Sequence, residues 1–202
     1  MQKLIVGITG ATGAILGIRL LEALKDAGAE THLVLSKWAI QTIEHETSYT
    51  VKQVRDLACV NHADGNMGAS ISSGSFLTDG MVIAPCSMRT LAAIAHGTGD
   101  HLVHRAADVI LKERRRLVLV AREMPLSDVH LENMLKLSRM GVTIMPPMPA
   151  FYNRPTSLDD MIDHVIARIL DQFGIRAELA RRWTGEMGKA ASQGGNACRD
   201  HS

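Results

Sequence analysis

The chain is expected to fold as a three-layer αβα domain built on a parallel sheet, and three observations lead there. Short apolar β runs alternate with amphipathic helical segments over most of the 202 residues. Those helical segments are long enough to act as crossovers, which parallel strands require. The first run, Leu4 to Ile8, passes straight into the glycine-containing loop GATGA and then into a helix with an apolar stripe.

The elements follow in order. The strand Leu4 to Ile8 is continuously apolar, as a strand covered on both faces should be. A helix then extends to about Ala27, followed by the strand Glu30 to Leu35 and a helix from Lys37 to about Glu46. Further strands are expected at Gly80 to Ala84, Leu117 to Val120 and Val142 to Met145. Helices are expected near Met88 to His96, His101 to Glu113, His130 to Met140 and Ser157 to Phe173. Ser157 with Asp159 and Asp160 places an N-cap and two acids in a first turn, where the helix dipole favours them. Residues 1–184 read as one domain, and 185–202, small, polar and without period, as a disordered tail.

Charge and cysteine content narrow the function. Lys and Arg number 22 against 21 Asp and Glu, which argues against a general nucleic-acid or membrane-surface binder and requires any important cations to be clustered locally. Three scattered cysteines, Cys59, Cys86 and Cys198, make neither a disulfide framework nor a metal spacing, so a reducing cytoplasm is the expected home. No export signal or membrane-spanning stretch is legible.

The chemistry should lie in the loops at the carboxyl ends of the strands. In the first, glycines 7, 10 and 13 and the hydroxyls of Thr9 and Thr12 form an anion cradle at a helix mouth, where free N–H groups and the dipole stabilise negative charge. The spacing is not that of dinucleotide binders, so a mononucleotide or other phosphorylated ligand is indicated. Ser36 and Lys37 follow the second strand. PCSMRTLA places Ser87 and Thr90 at another helix mouth, a second anion site by the same physics. Arg122 and Glu123 stand just past the strand Leu117 to Val120, and a guanidinium there suits a phosphate. The run Arg114 to Arg116 reads as a solvated helix end. The loop MPPMPAFYNRP carries four prolines around Tyr152, more than an ordinary turn uses. Taken alone, Arg168 reads as the ion-pair partner of Asp171, Trp183 as an anchor for the last helix, Cys86 as a packed thiol and His130 as a helix-start residue.

At these residues a resemblance becomes specific. GITGATGA, Ser36-Lys37, ISSGSF, PCSMRTLA, RAADVILKERR, LVLVARE, HLENMLKLS and PPMPAFYNRP together resemble the UbiX-type flavin prenyltransferases, closest to members that accompany hydroxyarylic acid decarboxylases. The match runs in order from about Lys3 to Trp183.

The resemblance implies a Rossmann-like (flavodoxin-like) fold of the flavin-containing cysteine decarboxylase type and a large homo-oligomer, a dodecamer. It implies transfer of a dimethylallyl group from dimethylallyl phosphate to N5 and C6 of reduced FMN. The prenylated FMN so formed would serve a UbiD-type decarboxylase, with no metal, nucleic acid or membrane involved. FMN would be held by Gly10, Ala11 and Thr12, by Ser36, by Ser87, Met88, Arg89 and Thr90, and by Arg122. The donor phosphate would meet Lys112, Arg122, Tyr152 and Arg168, with Arg105 helping from a neighbouring subunit; Glu46, Glu123, Thr12 and Trp183 would lie near the reacting centre. Many relatives have Ser where Thr12 stands, so the hydroxyl is kept and a methyl added. The competing readings are an FMN-dependent decarboxylase, disfavoured because ISSGSF and PCSMRT replace that group's His and Asn-Met motifs, and a non-catalytic flavin carrier, which would not need Lys112, Tyr152 and Arg168.

Overall fold

A computed structural model describes residues 1–180, 182 and 183. Its strands are β1 (Lys3–Ile8), β2 (Glu30–Leu35), β3 (Val60–Ala63), β4 (Gly80–Cys86), β5 (Arg116–Ala121) and β6 (Thr143–Ile144), all parallel, in the order β3-β2-β1-β4-β5-β6. The helices are α1 (Ala14–Asp26), α2 (Lys37–Glu46), α3 (Val51–Asp56), α4 (Met88–His96), α5 (Leu102–Lys112), α6 (Asp128–Arg139) and α7 (Leu158–Asp171).

Alternation along the strands sorts the core into two layers. Leu4, Val6 and Ile8 of β1 join a cluster with α1, α2 and α7, whereas Ile5 joins Met81, Ile83 and the inner faces of α4, α5 and α6. Gly7 is needed where α5 presses on β1: a Cβ there would lie 3.0 Å from Val103 Cγ2. Each layer buries branched aliphatics on one side of a sheet covered on both faces, the three-layer arrangement expected from the sequence.

The order reverses between β1 and β4, the switch point at which doubly wound sheets open a crevice beyond the strand ends. The two loops leaving that point are GATGA and PCSMRT.

Most element ends agree with expectation to within one or two residues. α6 begins earlier, at Asp128, because Ser127 caps it and His130, at the third helical position, returns a bond to the cap. Two elements were not anticipated. β3, VNHA, is a mostly exposed edge strand with no apolar run, and α3 buries only Val54. Its capping box, Thr50 with Gln53, was a legible signal. Without β3 the remaining order is that of the flavodoxin-like arrangement; β3 completes the six-stranded Rossmann order. The expectation for 185–202 concerns residues outside those described.

α1 lies unusually close to the sheet at Gly17, where a Cβ would fall 2.4 Å from the Ala84 carbonyl oxygen and 2.6 Å from Ile8 Cδ1. G17A should therefore destabilise by about 1–3 kcal/mol through overpacking, despite the better helix propensity of Ala. A melting temperature equal to or above wild type would contradict this packing.

Candidate active site

Thr9 joins the two loops of the switch point. It is 1% exposed. Its backbone N–H and its hydroxyl both donate to the Pro85 carbonyl, at 3.2 and 2.9 Å, and Oγ1 in turn accepts from the Ser87 N–H at 2.9 Å. The sequence reading placed this hydroxyl in the anion cradle. It is instead consumed inside the fold, where it ties the start of the GATGA loop to the cap of α4.

Around the clamp lies a cleft of about 280 Å³ whose walls include Gly10, Ser36, Ser87, Arg89 and Thr90. Ser36 Oγ caps α2 by accepting from Ala39 N–H at 3.1 Å, and Ser87 Oγ caps α4 through Thr90 N–H at 3.3 Å. The first-turn N–H groups of Lys37, Trp38, Met88 and Arg89 have no protein acceptor among the described residues. Two helix N-termini thus converge on one cleft, which fits the phosphate end of a mononucleotide. Met88 can contribute only its backbone, since its side chain is buried in the core, and Ala11 is likewise buried. Gly10 is required sterically: a Cβ there would lie 2.4 Å from Trp38 Cβ. Trp38, two-thirds exposed beside this cleft, escaped the sequence reading.

A second cleft, about 350 Å³, begins at Thr12, Gly13 and Arg122 and is walled by Pro147, Pro149 and the first two turns of α7. It combines an apolar lining with one guanidinium. Glu46, at the far end of α2, accepts from Gly13 N–H at 2.8 Å and Ala14 N–H at 3.1 Å, capping α1 across 33 residues of sequence, so the α1 mouth expected to cradle an anion is already filled by a carboxylate and the free N–H groups lie at α2 and α4 instead. Partial burial opposes its ionisation, but bonds from the Thr12 hydroxyl and these two N–H groups outweigh burial and hold the carboxyl below its usual range. Glu46 is therefore a carboxylate at neutral pH, a fixed negative charge beside Thr12. Arg122 is anchored by its N–H to the Cys86 carbonyl at 3.1 Å and leaves its exposed side chain free to turn into the cleft; Glu123 accepts from the adjoining Met124 N–H at 3.0 Å.

A third group gathers on α7 and the proline-rich loop. Tyr152 meets Trp183 edge to face, with ring centroids 5.8 Å apart, and meets His164 in the same way at 5.6 Å. Arg168 donates to Asp171 at 2.8 Å, and Arg182 grips the same carboxylate at 2.7 and 3.1 Å. The Arg182 bond, aided by Arg168, keeps Asp171 below the usual carboxylate range. The pairing of Arg168 with Asp171 read from the sequence is present, and Arg168 remains exposed.

Lys112 and Arg105 stand apart from these groups. Lys112 ends α5 at the amino-terminal edge of the sheet and pairs with Glu113, whereas Arg122 leaves β5 at the carboxyl edge, about 20 Å away by the length of that strand. Arg105 bonds the Ser72 carbonyl at 3.2 Å and Asp108 at 2.6 Å. Arg115 corrects the reading of its run as merely solvated: its guanidinium donates to the carbonyls of Phe76 and Gly74 at 2.8 and 2.7 Å and pins that loop. Cys86 is fully buried, which pushes its thiol far up and leaves it inert.

T9V should leave the Ser87 N–H without a partner and cost about 1–3 kcal/mol, while T9S should keep the clamp; chemical denaturation with flavin titration measures both. E46Q should lose about 0.3–1 kcal/mol at neutral pH. Because the folded carboxyl titrates below its ordinary value of 4.5, the advantage of wild type is present above that value and fades as pH falls through the lower folded one. A stability gap that persists in strong acid would refute the assignment.

Comparison with known proteins agrees with this geometry. A family model described as Flavoprotein matches residues 1–170. A probable UbiX-like flavin prenyltransferase of Bacillus subtilis is 61% identical over 183 residues, covering 91% of this chain and 90% of the relative. Among solved structures, AnUbiX (PadA1) in complex with FMN and dimethylallyl pyrophosphate superposes with a TM-score of 0.91 at 53% identity, covering 92% of this chain and 99% of that one. A dodecameric FMN-dependent UbiX-like decarboxylase of Escherichia coli O157:H7 gives 0.90 at 62% identity, covering 91% and 100%. Two helix mouths facing one cleft, beside an apolar cleft that ends on Arg122, are thus set in a sequence shared across nine-tenths of its length with such relatives, and the chain belongs to the flavoprotein family and, within it, to the UbiX-like flavin prenyltransferases.

Proposed function

We propose that the protein transfers a dimethylallyl group from dimethylallyl phosphate to N5 and C6 of reduced FMN, and that the prenylated FMN it releases serves a UbiD-type aryl acid decarboxylase. The observation that carries this reading is the adjacency, at one switch point, of an anion cradle and an apolar cleft entered by Arg122. Reduced FMN, when bound, supplies the nucleophile. The side chains then need only hold, orient and manage charge.

Ser36, Ser87, Thr90 and the N–H groups of Met88 and Arg89 would hold the flavin phosphate, with Gly10 and Ala11 presenting backbone to the rest of the cofactor. Thr12, bonded to Glu46, and Arg122 would border the reacting end. Breaking an allylic C–O bond leaves a delocalised cation and a phosphate anion, so the barrier falls where cations neutralise the leaving group and aromatic surfaces shelter the allyl fragment. Arg168 and Arg122 suit the first task without a metal, Tyr152 and Trp183 the second. Glu46, the exposed Glu123 or the departing phosphate would exchange the protons that closing the new ring requires.

Lys112 and Arg105 would join this site from a neighbouring copy, since Lys112 lies at the opposite edge of its own sheet. The reading therefore requires a homo-oligomer, and the dodecameric E. coli neighbour supports one. It treats residues 1–184 as one flavin-binding domain at work in a reducing cytoplasm, in keeping with the unpaired Cys59 and Cys86. Among the described residues no helix is long and apolar enough to cross a membrane.

Anaerobic incubation of the protein with reduced FMN and dimethylallyl phosphate should yield, by mass spectrometry, a flavin heavier by one prenyl unit. Unchanged FMN would reject the proposal. K112A and R168A should each retain flavin and lose about 100-fold or more in turnover. Loss of flavin from both variants would move the donor-phosphate site elsewhere.

A further inference from the structure

The buried face of α7 is aliphatic apart from one residue. Ile162, Val165, Ile166 and Ile169 line one side, and His164, 9% exposed, is the buried residue of another kind beside them. A buried imidazole needs a reason, and its surroundings supply one. Nε2 of His164 faces Oη of Tyr152 at 3.4 Å, and the two rings meet at 83°. A hydrogen bond of that length is common where a group waits for substrate before tightening. Tyr152 is half exposed, its oxygen meets His164, and the exposed Arg168 stands one turn further along α7. Positions 164 and 168 are one turn apart on α7 and share a face.

We propose that His164 is a positioning residue and proton reserve for Tyr152 during departure of the donor phosphate; this rests on the function proposed above. The need for a proton follows from charge balance. Dimethylallyl phosphate is a dianion at neutral pH, and cleaving its C–O bond with the electron pair left on oxygen would release a phosphate trianion. One proton must reach that oxygen. Before the donor binds, the Tyr152 O–H donates to neutral His164. When the phosphate arrives, the hydroxyl turns outward to it, and His164 takes a proton from solvent so that Nε2–H can donate to Oη. As the C–O bond breaks, the Tyr152 proton passes to the departing oxygen and the His164 proton passes to Oη. Hydrogen phosphate leaves, Tyr152 is restored, and His164 is again neutral.

The groups around the imidazole suit this cycle. Arg168 opposes its protonation, and Asp171 favours it and is itself held by Arg182. From α1, which packs against α7, Arg19 is engaged by Asp163 and Glu22. Burial foremost, then Arg168, keeps His164 below its ordinary value in the free protein. A phosphate dianion beside Arg168 removes that opposition, so binding and proton uptake are linked.

The test uses the FMN-loaded protein and dimethylallyl monophosphate. In wild type, calorimetry at neutral pH in two buffers of different ionisation enthalpy should report uptake of up to about one proton on binding, and kcat should fall as pH rises through the bound-state value of His164. H164N, which can hydrogen-bond but not ionise, should take up no proton and lose the alkaline fall. It should show kcat lowered about 10- to 100-fold with KM little changed and flavin content intact. H164N with wild-type uptake, kcat and pH profile would overturn the inference. Should H164N shed its flavin, wild type decides by itself: uptake together with the alkaline fall supports the relay, and absence of either overturns it. Failure of wild type to form the prenyl adduct at all would instead overturn the function on which this rests.

Discussion

Everything at the carboxyl edge of this sheet depends on Thr9. A parallel sheet whose order reverses between β1 and β4 opens a crevice there, but a crevice alone does not set two helix mouths at a working distance. The Thr9 hydroxyl fixes the α4 mouth by donating to the Pro85 carbonyl while accepting from the Ser87 N–H, and the Ser36 N–H fixes the α2 mouth by donating to the Ile8 carbonyl at 3.1 Å. Buried at 1% exposure, the Thr9 pair of bonds ties the start of the GATGA loop to the cap of α4. Ser36, Ser87 and the unpartnered N–H groups above them then face a common space.

Two electrostatic devices extend from this centre. One is Glu46, which reaches back from the end of α2 to cap α1, so that a carboxylate and a helix dipole neutralise each other beside Thr12. The other is the α7 cluster, where Asp171 holds two guanidiniums while Tyr152 rests between His164 and Trp183. Between the two lies the proline-walled cleft with Arg122 at its mouth. Positive charge is thereby set around an apolar space, an arrangement that favours an anion leaving an allyl fragment over an anion merely bound.

Much of this was legible in the chain. Residues Leu4 to Ile8 and Gly80 to Ala84 announce covered strands by unbroken apolar runs, and Ser36, Ser87 and Ser157 announce helix starts by cap chemistry, because both signals are local. β3 was not legible, since an exposed edge strand has no buried face to pattern its residues. His164 was not legible either. Its spacing aligns it with the exposed Arg168 rather than with Ile162, Ile166 and Ile169, and only the return of the proline-rich loop brings Tyr152 to its ring. Thr9 was seen but misassigned, because a hydroxyl in a glycine loop carries no sign of which way it turns.

By itself the sequence determined the alternation of strands and helices, the anion-binding mouth of α4 and, through motifs kept in order, the family; each rests on neighbours close in the chain, where backbone geometry and capping act. Only the tertiary structure decided that Thr9 faces inward, that Glu46 caps α1, that His164 stands behind Tyr152 and that Lys112 lies at the far edge from Arg122. Those outcomes depend on contacts between segments 12 to 78 residues apart and on the direction of each crossover, which local pattern does not encode.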